Sequence, residues 1–225
     1  MIRLNIIVEG HTEERFVKEV LSVHLALFQV YAVARKVETS RHGKKLFKGG
    51  MTTYAKVKND FHRWMKHDNS SNVRFTSMFD LYGLPKDFPD FQTSVPMNNP
   101  YHKVECLENA FAKDIQDSRF IPYLQLHEYE ALILSEPQSL KKFFLEHDTQ
   151  INTLVELVKS FSSPELIDDG FDTSPSKRII KQIPPYRYLK SSAGPSIAKE
   201  IGLETIRKNC PHFRNWLHQL ENLNQ

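Results

Sequence analysis

The apolar pattern of the chain changes period early and then repeats. Ile6, Ile7 and Val8 form a β-branched run suited to a buried strand, and it stops at Glu9-Gly10. Thr12, Glu13, Glu14 and Arg15 read as a helix start. Phe16, Val17, Val20 and Leu21 then recur at helical spacing. Gln29 to Val37 is a second β-rich stretch. Tyr54, Val57, Phe61, Trp64 and Met65 line one face of a helix expected over Thr53 to His67. Val73 to Phe79 is a third strand, and the Pro- and Asp-rich stretch from Lys86 to Tyr101 a loop. A helix over Lys103 to Asp117 turns Val104, Leu107, Ala110, Phe111 and Ile115 inward, and Phe120 to Leu126 is a fourth strand. Strands alternating with helices predict an α/β fold: a mainly parallel four-stranded sheet flanked by helices.

Beyond Ser135 the texture changes. Glu136 to Glu146 and Asn152 to Phe161 carry amphipathic helical patterns, and Ser163 to Tyr188 reads as a Pro- and Asp-rich connection. Pro195 to Asn222 is helical again, with Phe213, Trp216, Leu217 and Leu220 as an apolar packing stripe. The expected organisation is an α/β domain over residues 1–135 with a helical C-terminal extension over 136–225 packed on it.

Composition narrows the class. Hydrophobic residues make up 40% of the 225 and charged residues 25%, so a packed core is expected and global disorder is not. A net charge of +3 permits a nucleic-acid partner without requiring one. Cys106 and Cys210 are far apart and in no metal-ligand pattern, as expected of a reduced, cytoplasmic setting. No apolar run is long enough to span a bilayer, so no membrane partner is expected, and the short run before Glu9 is not a signal peptide. Between Glu38 and Gly50, Arg41, Lys44, Lys45 and Lys48 stand among Gly43, Gly49 and Gly50. This reads as a flexible basic loop, either a solvated connection or a contact to a phosphate backbone.

The candidate chemistry lies at the strand ends. Three predicted strands finish in acid: at Glu9, at Asp80, and at the His127, Glu128 and Glu130 cluster. A parallel sheet brings such ends to one edge. Carboxylates gathered there repel one another unless a cation intervenes. Oxygen-only ligands favour Mg²⁺ or Mn²⁺, which in turn favours phosphate oxygens and water as further ligands. The substrate class is then nucleotides or nucleic acids, and the reaction phosphodiester cleavage by metal-activated water with a carboxylate as general acid or base. On a strand, Glu128 and Glu130 share a face and His127 points away, so one or both glutamates are expected in the site. Lys177 and Arg178 follow a Pro-Ser turn. They read either as an exposed helix start or as charges for a phosphate.

Three blocks carry a resemblance: Val8-Glu9-Gly10-His11-Thr12-Glu13, Asp80-Leu81-Tyr82-Gly83-Leu84-Pro85 and His127-Glu128-Tyr129-Glu130-Ala131-Leu132. In order and spacing, together with Pro175-Ser176-Lys177-Arg178 and Cys210-Pro211-His212-Phe213, they resemble a DUF4276-like bacterial family with a Toprim-like domain, the topoisomerase–primase catalytic fold. The pattern is also similar to the nuclease branch of overcoming-lysogenization-defect proteins. The resemblance implies that Glu9 is a general acid/base or metal ligand and that Asp80 opens an Asp-x-Asp metal motif. Here Tyr82 replaces the second Asp, and Glu128 or Glu130 is the candidate substitute. It further implies a defence-type setting and an ATPase partner protein. The expected function is a Mg²⁺-dependent nuclease acting on DNA or RNA. Catalytic roles fall on Glu9, Asp80, Glu128, Glu130 and Lys177, metal ligation on Glu9, Asp80 and Glu130, and nucleic-acid contact on Arg41, Lys44, Lys45, Lys48 and Arg178. The alternatives are a catalytically weak regulatory module for an ATPase, and phosphoryl or nucleotidyl transfer on a small nucleotide.

Overall fold

The computed structural model describes residues 1–42, 45–48, 53–167 and 172–225. Strand β1 (Ile2–Val8) leads through Gly10 into a helical rod made of α1 (His11–Phe16), a π-helical segment (Val17–Leu21) and α2 (Ser22–Ala26). Then come β2 (Val30–Lys36), β3 (Glu38–His42), β4 (Lys45–Lys48), α3 (Tyr54–His67) and β5 (Val73–Asp80). After β5 follow the single turn α4 (Phe91–Ser94), α5 (Pro100–Ile115), β6 (Phe120–Ile121) and β7 (Leu124–Gln125). The second half holds α6 (Glu130–Ile133), α7 (Asp148–Lys159), α8 (Pro175–Gln182), α9 (Tyr186–Ile201), α10 (Leu203–Asn209) and α11 (Pro211–Glu221). No described helix is long and apolar enough to cross a membrane.

The sheet is parallel as the alternating pattern predicts, with order β2-β1-β5-β6 and β7 also paired to β5. β1 is central and buried apart from Arg3, as a strand flanked on both sides requires. Its pleat feeds two cores. Leu4, Ile6 and Val8 join Phe16, Val17 and the C-terminal residues Ile197, Phe213 and Trp216, while Ile7 joins Val57, Phe61, Phe75, Phe79 and Phe111.

Several expectations are corrected. The fourth strand is interrupted, because Pro122 has no N–H to give the ladder; β6 and β7 flank it. The basic stretch after β2 is not a loop throughout. Glu38–His42 and Lys45–Lys48 pair antiparallel. Arg41, Lys45 and Lys48 lie on its strands, and Lys44 lies outside the described residues. The expected loop before Tyr101 ends early, since Asn99 caps α5 by accepting from the Tyr101 and His102 N–H groups with Pro100 in the first turn. Glu136 to Glu146 shortens to a 3₁₀ segment, Pro137–Lys142. The connection expected up to Tyr188 instead contains α8 and the start of α9, each opening at a proline that suits a helix N-terminus.

Candidate functional site

The acids at the carboxyl edge of the sheet do converge. Glu9 leaves β1 and its Oε1 accepts the backbone N–H of Asp80, the last residue of β5, at 3.0 Å. The chain must come close to allow this. A Cβ on Gly83 would lie 3.2 Å from Glu9 Oε2 and 3.4 Å from Oε1, tighter than ordinary contact. Gly83 therefore leaves the space that the Glu9 carboxylate fills. Glu13, buried on the first turn of α1, accepts the Gly10 N–H at 2.9 Å and so holds a second carboxylate beside the first.

The third acidic block departs from strand geometry. His127 sits at φ 60°, and a helical turn begins at Glu130. The shared strand face expected of Glu128 and Glu130 is therefore lost. Glu128 Oε2 accepts the Ser176 N–H at 2.8 Å, at the start of α8. Glu130 is buried, accepts the Tyr186 hydroxyl at 3.3 Å and meets Lys190 Nζ at 3.2 Å. Both partners come from α9. That helix packs on α1 at Gly194, where a Cβ would stand 3.3 Å from the Tyr129 ring and 3.5 Å from the Thr12 methyl.

Electrostatics show how crowded the rim is. Burial, and then the charge of Glu13, push Glu9 up to about 8. Burial holds Asp80 well above the carboxylate range, with Glu13, Glu9, Glu130 and Glu128 adding to it in that order. Burial also raises Glu13 and Glu130, against the opposing pull of Lys190 in both. Burial works against the Lys190 charge, but Glu130 and Glu128 more than offset it and raise its pKa. Asp80 Oδ1 is fully covered and has no hydrogen-bond partner among the described residues. A covered acceptor without a donor, among carboxylates short of positive charge, fits a hard cation. Among the described residues, however, no group of three His, Cys, Asp or Glu side chains stands in an arrangement that could hold a metal ion.

The remaining sequence-predicted residues fall elsewhere. Lys177 is exposed on the first turn of α8, and the cation at the rim is Lys190. Arg178 donates to the Thr173 carbonyl at 2.6 Å and lies over the Phe161 ring. Glu13, Lys190 and Tyr186 were not singled out from the sequence. Only Glu13 left a trace there, as the acid three residues after Gly10 in a capping position.

A family model described as "Domain of unknown function (DUF4276)" matches residues 8–221. Among solved structures, the chain is similar to the C-terminal region of the Burkholderia pseudomallei OLD protein, with 15% identity, 97% of each chain covered and a TM-score of 0.45. It is also similar to the C-terminal region of the Xanthomonas campestris pv. campestris OLD protein, with 16% identity, 100% of this chain and 98% of that chain covered, and a TM-score of 0.42. Likeness at this level carries no activity across. Among curated proteins no relative matches.

Proposed function

We propose that this chain, which belongs to the DUF4276 family, is a divalent-metal-dependent nuclease that hydrolyses phosphodiester bonds of DNA or RNA. The observation that carries the reading is the contact of the Glu9 carboxylate with the Asp80 N–H within a set of buried and half-buried carboxylates whose charge Lys190 balances only in part. Glu9, Asp80 and Glu130 would hold Mg²⁺ or Mn²⁺, with Glu13 adjoining, once their carboxylates turn toward a common point. A bound ion would supply Lewis acidity and lower the pKa of a coordinated water. The chain's own groups do the rest. Glu9, raised to about 8 with no ion beside it, would give up that proton on binding one. Lys190 and Tyr186 fix Glu130. Ser176 fixes Glu128 through its N–H. Lys177, one residue further on, would meet substrate phosphate.

The test is cleavage of single- and double-stranded DNA and RNA by the purified chain with Mg²⁺ or Mn²⁺, with and without a chelator. Chelator-sensitive cleavage that Glu9→Gln and Asp80→Asn abolish is expected. Cleavage that persists in both variants, or in excess chelator, would overturn the reading.

A further inference from the structure

The second core reaches the edge of the sheet at Val37 but leaves most of β2 bare. Along β2, Tyr31, Val33 and Arg35 point to the same face as Asn5 and Ile7 of β1, since Val33 pairs with Asn5 and Arg35 with Ile7. Helix α3 covers that face over Ile7, Val73 and Phe75 but stops short of β2, leaving Tyr31 50% and Val33 55% exposed. An edge strand with bare aromatic and aliphatic side chains is unusual unless something covers it. Beside it lies a cavity of about 140 Å³ lined by Asn5, Arg35, Trp64, His67 and Phe75.

We propose that this face of β2, with the C-terminal turn of α3, binds a single strand of nucleic acid and seats one base in the cavity between Arg35 and Trp64. The proposal rests on the nuclease reading for its substrate class and adds strandedness and a subsite. Charge selects the occupant. Arg35 lies on the face and the exposed Lys66 on the last turn of α3 beside it, and the nearby acids are already engaged, Asp60 by Arg63 and Asp68 by Arg3. A polyanion fits such a surface better than an apolar protein partner. The Arg35 Nε donates to Asn5 Oδ1 at 2.6 Å, which steadies the guanidinium at the cavity wall, while Arg63 lies 5.9 Å from the Trp64 ring centroid. A cavity of about 150 Å³ admits one benzene-sized ring, so the space suits one unstacked pyrimidine. Aromatic side chains among cations are the usual platform for single strands, whose bases are free to leave the stack. The strand also leads to the proposed site. Arg35 is level with Ile7, two residues or about 7 Å short of Glu9 along the axis.

Fluorescence tests this directly. Of the two tryptophans, Trp216 is buried, donates to Thr76 Oγ1 at 2.9 Å and stacks on Tyr123, so emission that responds to a surface ligand comes from Trp64. The full chain in EDTA is titrated with oligothymidylate, oligouridylate and a short duplex. Affinity is followed in parallel by anisotropy of labelled strands. Saturable quenching by single strands is expected, absent in Trp64→Phe. Tyr31→Ala and Arg35→Ala, both at exposed positions, should each weaken single-strand binding by about 5- to 30-fold without changing the circular dichroism. Single strands that leave emission unchanged and bind both variants as well as the parent would overturn the proposal, as would preference for the duplex or no binding at all. A dimer in solution that Tyr31→Ala breaks would assign the face to a second copy and overturn it too. The nuclease reading fails separately: specific binding at this face without cleavage under any metal would remove that reading, while cleavage with affinity unmoved in the variants would remove only this surface.

Discussion

Replacing Glu9 by Gln isolates the electrostatic strain at the rim. Gln keeps an oxygen to accept the Asp80 N–H but carries no charge. In the folded protein Glu9 is raised from 4.5 to about 8 by burial and by Glu13. The folded state therefore keeps this proton up to a higher pH than the unfolded chain does. Between about pH 4.5 and 8 the unfolded chain binds fewer protons at this position, so stability falls as pH rises through that window and levels off above it. At about 1.4 kcal/mol per pH unit, the full cost of ionising Glu9 is on the order of 4–5 kcal/mol. Glu9 is also one of the charges that raise Asp80, so removing it relieves Asp80 as well. Urea denaturation in EDTA at pH 5 and at pH 8.5 measures this. The parent is expected to lose several kcal/mol more than Glu9→Gln on going to the higher pH. Mn²⁺ at pH 8 should restore the parent more than the variant. A difference between parent and variant that stays constant with pH would refute the burial argument.

Four further outcomes are expected. Asp80→Asn should lower nuclease activity by more than about tenfold with the fold intact by circular dichroism, since it removes a metal-ligand charge; undiminished cleavage would count against its role. Gly83→Ala puts a methyl 3.2 Å from Glu9 Oε2 and should cost activity several-fold while leaving the melting temperature nearly unchanged. Lys190→Ala leaves Glu130 buried without its cation. It should destabilise by about 1–3 kcal/mol at pH 8 and by less at lower pH, because burial raises Glu130 and makes its carboxylate easier to protonate, as chemical denaturation at several pH values will show. Neutralising Lys44, Lys45 and Lys48 together should weaken nucleic-acid binding and flatten its dependence on salt, read from affinities at several salt concentrations.

The strand ends were readable because a buried β-branched run that stops abruptly at acid and glycine marks both a strand and its edge. Glu9 and Asp80 were placed at strand ends that way, and the Glu9 carboxylate accepts the Asp80 backbone N–H. The face assignment for Glu128 and Glu130 depended on a period of two, and the left-handed turn at His127 followed by a helix broke that period. Lys190 and Tyr186 sit far downstream on a helix whose start, among Pro184 and Pro185, looked like a connection. They reach Glu130 through the packing of α9 on α1 and α6, which local pattern does not encode. The hairpin of β3 and β4 was hidden by glycines and lysines that suit a loop equally well.

The central claim is that acids from β1, β5 and the segment before α6 share a hard divalent cation. Anomalous diffraction from crystals soaked in Mn²⁺ tests it most directly. The account predicts a peak bonded to carboxylate oxygens of Glu9 and Asp80, and to at least one of Glu13 and Glu130, at roughly 2.0–2.6 Å. An empty rim at saturating Mn²⁺, with Glu9 still accepting the Asp80 N–H, would contradict it.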